Sequence, residues 1–266
     1  NLGGIRLTIP TGGFVITSAG LAGEISIGTS LNFGGVSFSG ALKLSINNTN
    51  LPVNQTFTVG GTSFTISLQK GPFFRISGEN ISLTVAGQTL SGNFAIESSQ
   101  SATGAKKTTI AATNITLSLG GVVNVTNGTG LFVIDPTGMA GTLSADVGLN
   151  LPADISFVGN FKLVINNTNK AVNESFTVGG QTVALDVQAG PYVRVEGNNI
   201  ALTVAGQTLS GNFSFEQITK AGGAKIIKIA ASDIHLGLGD GTTEFVSLHN
   251  GQGTFLITPT GIAGQL

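Results

Sequence analysis

Apolar and polar residues alternate at period two along most of this chain. Val36, Phe38, Gly40, Leu42, Leu44 and Ile46 occupy every second position of one run, and Ile155, Phe157, Gly159, Phe161, Leu163 and Ile165 do so in another. Period two sends successive side chains to opposite faces of a strand. At roughly 3.3 Å per residue, each run predicts a strand about 36 Å long. Shorter alternations follow at Phe64, Ile66 and Leu68 and at Ile81, Leu83 and Val85. Neither of the longer polar stretches, Ser98 to Ala105 and Ile218 to Ala224, has the apolar stripe that a helix needs.

Turn chemistry separates the runs. Gly60-Gly61 can supply two positive φ angles. Gly87-Gln88, repeated as Gly206-Gln207, suits a II′ turn, and Asn127-Gly128, repeated as Asn250-Gly251, suits a I′ turn. Two-residue loops of this kind join antiparallel neighbours, so the prediction is an all-β meander of about ten strands per unit.

The pattern recurs. Leu83 to Phe94 returns unchanged as Leu202 to Phe213, Ile46-Asn-Asn-Thr-Asn50 returns at Ile165, and Phe57-Thr-Val-Gly-Gly61 returns at Phe176. Gly20-Leu-Ala-Gly23, Gly138-Met-Ala-Gly141 and Gly261-Ile-Ala-Gly264 are one motif met three times. The expected organisation is the end of one repeat (1–11), a first β repeat (12–129), a second (130–252) and the start of a third (253–266), so the chain is expected to begin and end inside a repeat. No Pro-, Ser- or charge-rich spacer parts the copies, which argues for a stiff rod. Sandwich-like modules of about 119 residues docked end to end, or one sheet continuing through the boundaries, would both give such a rod. An irregular β-solenoid is the alternative.

Composition sharpens this. Charged residues make up 9% of the chain, against about 25% in ordinary soluble domains. With a net charge of -1 there is little repulsion between copies, a condition that favours association. No basic stripe exists to neutralise phosphates, so nucleic acid is not an expected partner. No run is long and apolar enough to span a membrane as a helix. With no Trp and Tyr192 as the single Tyr, the aromatic girdles of a membrane barrel are missing too. The chain has no Cys, which removes disulfides and thiol chemistry.

Candidate chemistry is sparse. His235 and His249 align with Thr116 and Thr126, so neither serves a role common to the repeats. Paired glycosidase acids and calcium-loop spacings are absent from the sequence. No catalytic, cofactor-binding or metal-ligating residue is predicted, and the chain is not expected to be an enzyme. Arg75 and Arg194 are equivalent, as are Glu97 and Glu216, and these are read as diagonal ion pairs between strands. Among the Asn-x-Ser/Thr sites, Asn47 matches Asn166 and Asn54 matches Asn173, making these four the candidate glycosylation positions.

Gly190-Pro-Tyr-Val-Arg-Val-Glu-Gly197, Gly179-Gly-Gln-Thr-Val-Ala-Leu-Asp186 and the duplicated Leu-Thr-Val-Ala-Gly-Gln-Thr-Leu-Ser-Gly-Asn-Phe block resemble repeats of giant bacterial secreted or surface proteins described as adhesin-like. Some of those carry a LEPR-XLL motif, which this sequence lacks. The resemblance implies an extracellular or cell-surface setting. The expected function is therefore a structural repeat segment that forms a stiff fibre, stalk or sheath, with neighbouring copies of the repeat as partners. A spacer or binding module of an adhesin, reaching a cell-surface or glycan partner through other regions, is the alternative. A glycan-processing enzyme comes third.

Overall fold

The computed structural model describes residues 5–7, 11–33, 36–85, 88–100, 104–119, 122–150, 155–220, 222–240 and 242–265. These residues form nineteen strands, paired antiparallel throughout, and no helix. The chain enters through β1 (Ile5–Leu7), β2 (Thr11–Thr17), β3 (Gly20–Phe33) and β4 (Val36–Asn47). A short hairpin of β5 (Val53–Val59) and β6 (Thr62–Leu68) follows. Next come five long strands: β7 (Phe73–Val85), β8 (Gln88–Gln100), β9 (Lys106–Leu119), β10 (Val123–Asp135) and β11 (Gly138–Asn150). The second repeat gives β12 (Ile155–Asn166) and the hairpin of β13 (Val172–Val178) and β14 (Gln181–Val187). It continues as β15 (Tyr192–Val204), β16 (Gln207–Thr219), β17 (Lys225–Gly239), β18 (Glu244–Thr258) and β19 (Gly261–Gln265).

All strands except the two hairpins join one open sheet in the order β1-β3-β4-β7-β8-β9-β10-β11-β12-β15-β16-β17-β18-β19, with β2 also on β3. The meander therefore runs uninterrupted through the repeat boundary, where Phe132 pairs with Gly141 and Gly141 with Ile165. A repeat has eight strands, β4 to β11, where turn spacing suggested about ten. Six lie in the sheet and two form the hairpin, so among the described residues the second layer is partial and no closed sandwich forms.

The duplicated motifs explain how the hairpin is seated. Asn47 and Asn166 are fully buried at its base. Asn47 Nδ2 donates to the carbonyls of Leu51 and Gln69, each at 2.8 Å, and its Oδ1 accepts from Thr49 N and Oγ1. Asn166 repeats the pattern with Lys170, Gln188 and Thr168. The neighbouring Asn48 and Asn167 accept from the backbone of Leu21 and Met139. Their side chains lie where a Cβ at Gly20 or Gly138 would stand. Ala22 and Ala140 are buried beneath the hairpins, while Gly23 and Gly141 lie on the other face under the rings of Phe14 and Phe132. The Gly-x-Ala-Gly motif thus reads as room for an Asn, a small floor for the hairpin and a slot for a ring.

Four turn assignments change. Gly60-Gly61 does close β5–β6 with two positive φ angles, as does Gly179-Gly180 for β13–β14. Val204, however, pairs with Gln207, so the two-residue loop there is Ala205-Gly206 with φ of 48° and 80°, and Gln207 opens β16. Its side chain exchanges two hydrogen bonds of 2.6 Å with the backbone of Gly239, which explains a Gln beside the turn. In the first repeat Val85 likewise pairs with Gln88, which opens β8, and Gly87 lies outside the described residues. Asn127-Gly128 and Asn250-Gly251 are not hairpin turns. Each is a bulge inside a long strand, with the Asn at φ 54° and a break in register beside it. Asn tolerates the left-handed region at a single residue, which a bulge needs as much as a I′ turn does. Asn80, Asn114, Asn199 and Asp233 adopt the same conformation in β7, β9, β15 and β17.

Candidate assembly interfaces

Strand register sorts the two faces of the sheet by chemistry. On the hairpin face, Arg75, Glu97, Thr109, Val133, Ala140 and Asn166 form one cross-strand row. On the opposite face the adjacent row reads Ile76, Ile96, Ile110, Phe132, Gly141, Ile165 and Val193. The next row continues the apolar character as Val195, Phe215, Ile229 and Phe255. Neither opposite-face row carries a charge, and no described segment covers them. Ile76, Ile96, Ile110, Val193, Val195, Phe215 and Phe255 are 36 to 52% exposed. Contiguous exposed apolar side chains are what interaction surfaces commonly present.

The hairpin face holds the main core. Hairpin β13–β14 lies across β8 to β12, so the second repeat roofs strands of the first. Phe176, Val178, Val183, Leu185 and Val187 close over Ala95, Ala111, Leu131, Val133, Ala140 and Val164, with Leu131 and Leu185 wholly buried. Each large side chain taken out of water here contributes about 1.5–3 kcal/mol. Polar contacts fix the docking. Lys107 Nζ stands 3.1 Å from Glu174 Oε1, and Thr113 Oγ1 donates to the Val178 carbonyl at 3.4 Å. The Arg75 guanidinium lies 4.8 Å from the centre of the Phe176 ring.

The predicted ion pairs meet across adjacent strands and directly opposite each other rather than diagonally. Arg75 Nε donates to Glu97 Oε2 at 2.9 Å and Gln69 adds a bond at 3.3 Å, on a carboxylate buried beneath the hairpin. Arg194 and Glu216 are 3.4 Å apart and more open. Glu216 also takes Lys228 at 3.1 Å, and Arg194 Nε stands 2.9 Å from Glu196 Oε1 at an angle that makes no hydrogen bond. Burial decides their worth. Replacing Glu97 by Ala leaves a shielded guanidinium without its partner, with an expected cost of about 1.5–3 kcal/mol. The same change at Glu216 should cost clearly less, and urea unfolding of the two variants checks the difference.

Of the four glycosylation candidates, Asn54 and Asn173 are exposed. Asn47 and Asn166 are corrected: a glycan on either Nδ2 would break both of its hydrogen bonds and has no room in the folded chain. The sequence signal that gave these sequons is the hairpin-base Asn-Asn-Thr motif itself. His235 and His249, read separately from the sequence, come together on β17 and β18 with Nδ1 atoms 2.9 Å apart, and His235 Nε2 lies 3.2 Å from Glu244 Oε1. Among the described residues no group of three or more His, Asp or Glu is placed to hold a metal ion, and no helix is long and apolar enough to cross a membrane.

One acid stitches three strands. Asp146 on β11 accepts from Asn127 Nδ2 on β10 at 2.7 Å and from Asn160 Nδ2 on β12 at 2.9 Å. The Asn127 bond first, then the Asn160 bond, hold its carboxyl below the usual carboxylate value. A carboxyl lowered in the folded state contributes stability that is complete above its unfolded value near pH 4 and fades as pH falls through the folded value. Asp146→Asn should therefore narrow the gap between melting temperatures at pH 7 and pH 3. An unchanged gap shows that the stitch adds nothing.

No family model matches the chain, and no curated protein or solved structure was found to be similar to it.

Proposed function

We propose that this chain is a structural repeat segment of a giant extracellular or cell-surface protein, building a stiff fibre, stalk or sheath by association of its sheets. The observation that carries this is the pair of uncharged apolar rows that run through both repeats without a cover among the described residues. An antiparallel sheet commonly meets water on its polar face, but here the polar face is the one that already carries the hairpins. A second sheet packed face to face at about 10 Å would bury the apolar rows of both partners. Low charge removes the repulsion that would oppose such pairing, and the roofed repeat boundary supplies stiffness in place of a flexible linker.

Electron microscopy with sedimentation velocity at neutral pH tests the reading. Two-layer rods or ribbons are expected. The chain advances six sheet positions per repeat, so an axial spacing near 29 Å should appear at about 4.8 Å per strand. A chain that stays monomeric at all concentrations overturns this reading and turns attention to the adhesin spacer.

A further inference from the structure

The two repeats differ in a concerted way at one spot on the sheet. Along β9 and β10 of the first, Thr116, Ser118, Asn124 and Thr126 make an uncharged polar patch, in which Ser118 donates to Asn124 at 3.2 Å. In the second the matching positions hold His235, Gly237, Ser247 and His249. The offset between copies rises from 119 at Gly237 to 123 at Ser247, and the added turn brings Glu244 to the start of β18. Thr116 and Thr126 are exposed although hairpin β13–β14 is docked on their strands, so hairpin docking leaves this spot open to solvent.

The substituted residues all meet. His235 and His249 are the only two histidines of the chain, and their Nδ1 atoms stand 2.9 Å apart. His235 Nε2 lies 3.2 Å from Glu244 Oε1, and His249 Nε2 lies 3.1 Å from Ser247 Oγ. Gly237 makes the first of these contacts possible, because a Cβ there would come within 2.2 Å of Glu244 Oε1. Asp240 accepts from Thr242 N and Thr243 N at 2.8 and 2.7 Å, which fixes the turn that delivers Glu244.

Protons can be placed on this cluster. An ionised carboxylate only accepts, so His235 carries its proton on Nε2 and presents Nδ1 as a bare lone pair. His249 can donate to it from Nδ1 while Ser247 donates to His249 Nε2. With the His249 proton moved to Nε2 and the Ser247 hydroxyl turned to accept it, both Nδ1 lone pairs are free and no proton has entered or left. Imidazoles that bind a metal ion through one nitrogen have the other held by a hydrogen-bond partner, and both rings here are held in that way. Two imidazoles fall short of a cage, but they make an open chelate. With ring centroids only 4.6 Å apart, the rings meet at an angle and not end to end, as two ligands of one ion do. Distance selects the ion. Two metal–nitrogen bonds of about 2.0–2.1 Å spanning the 2.9 Å separation subtend about 90°, well short of the tetrahedral angle of structural zinc. A right angle between nitrogens suits the tetragonal sites of Cu(II) and Ni(II), of which copper binds the tighter.

We propose that His235 and His249 chelate one Cu(II) ion, with water completing its coordination and Glu244 as a positioning residue that holds the His235 ring through Nε2. The first repeat lacks both rings and the carboxylate, so the metal site belongs to the second repeat alone. It does not depend on how the sheets associate.

Electron paramagnetic resonance and calorimetry on the full chain, titrated with copper(II) sulfate in a weakly coordinating buffer, test the site. One equivalent is expected to bind and to show nitrogen hyperfine lines from two imidazoles, which no other residue of the chain can supply. Glu244→Ala should keep both nitrogens and bind about 10–100-fold more weakly, the usual effect of losing such a partner. His235→Gln and His249→Gln should each leave a single nitrogen and lose more affinity than that. All three side chains reach solvent, so the variants should fold, which circular dichroism checks. Copper bound without nitrogen hyperfine lines, histidine variants that bind as tightly as the parent, or a parent with no saturable one-to-one uptake would each overturn the site. An unchanged affinity in Glu244→Ala overturns the positioning role.

Discussion

Leu185→Ala is expected to lower stability by about 2–5 kcal/mol, the range for removing a buried leucine from a site that cannot collapse. Leu185 has no exposed surface and lies among Leu131, Ala111 and Val183, where the hairpin of one repeat meets the floor of the other. Denaturant unfolding gives the size of the loss, and amide exchange locates it. Exchange should quicken across β13 and β14 while β5 and β6 keep their native rates. Truncating the exposed Val59 to Ala should by contrast cost well under 1 kcal/mol. A Leu185→Ala chain as stable as the parent would show that the roof is not anchored where its core lies.

Placing charge on the bare face should have the opposite signature. Ile96→Lys together with Phe215→Lys puts two ammonium groups into rows that hold none, at side chains already half exposed. The folded single chain should tolerate both. Face-to-face pairing should not, because an unpaired charge shut into an apolar interface costs several kcal/mol, and each 1.4 kcal/mol is tenfold in affinity. A loss of at least about a hundredfold in the association constant is expected, read by sedimentation equilibrium, with thermal stability of the dilute chain little changed. Unaltered association would move the interface elsewhere on the molecule.

Much of this architecture was legible in the alternation of side chains. The run from Val36 to Ile46 is β4 and the run from Ile155 to Ile165 is β12, and the Gly60-Gly61 pair closes a hairpin as its two glycines require. The Asn-Gly pairs misled because a positive φ at Asn serves a bulge and a turn equally well. Period-two reading has no term for one extra residue inside a strand, so long kinked strands were divided and the count rose. Strand alternation also could not say which face would be roofed. Ala95, Ala111 and Ala140 look like weak core positions in sequence, yet they are the floor because only small side chains leave room for Phe176 and Leu185. The bulkier Ile76, Ile96 and Ile110, which sequence logic assigns to a core, face outward. The Asn-Asn-Thr motif drew attention as a modification signal. Its actual work is to hold the hairpin base through carbonyls of Leu51 and Gln69, residues far enough apart that only the fold brings them together.

The hairpin roof also bears on how the chain would carry tension. Ladder bonds in an antiparallel sheet lie across the strands, so here they point along the stacking direction. A pull from the two ends would load them lengthwise, one seam after another. Between β8 and β12 each seam is spliced by β13 and β14, whose core must shear before the strands can part. Among the described residues the seams that flank β7 and β15, β4–β7–β8 and β12–β15–β16, have no such splice. Rupture under load should start beside these two strands, at the same place in each repeat, and leave the spliced blocks whole.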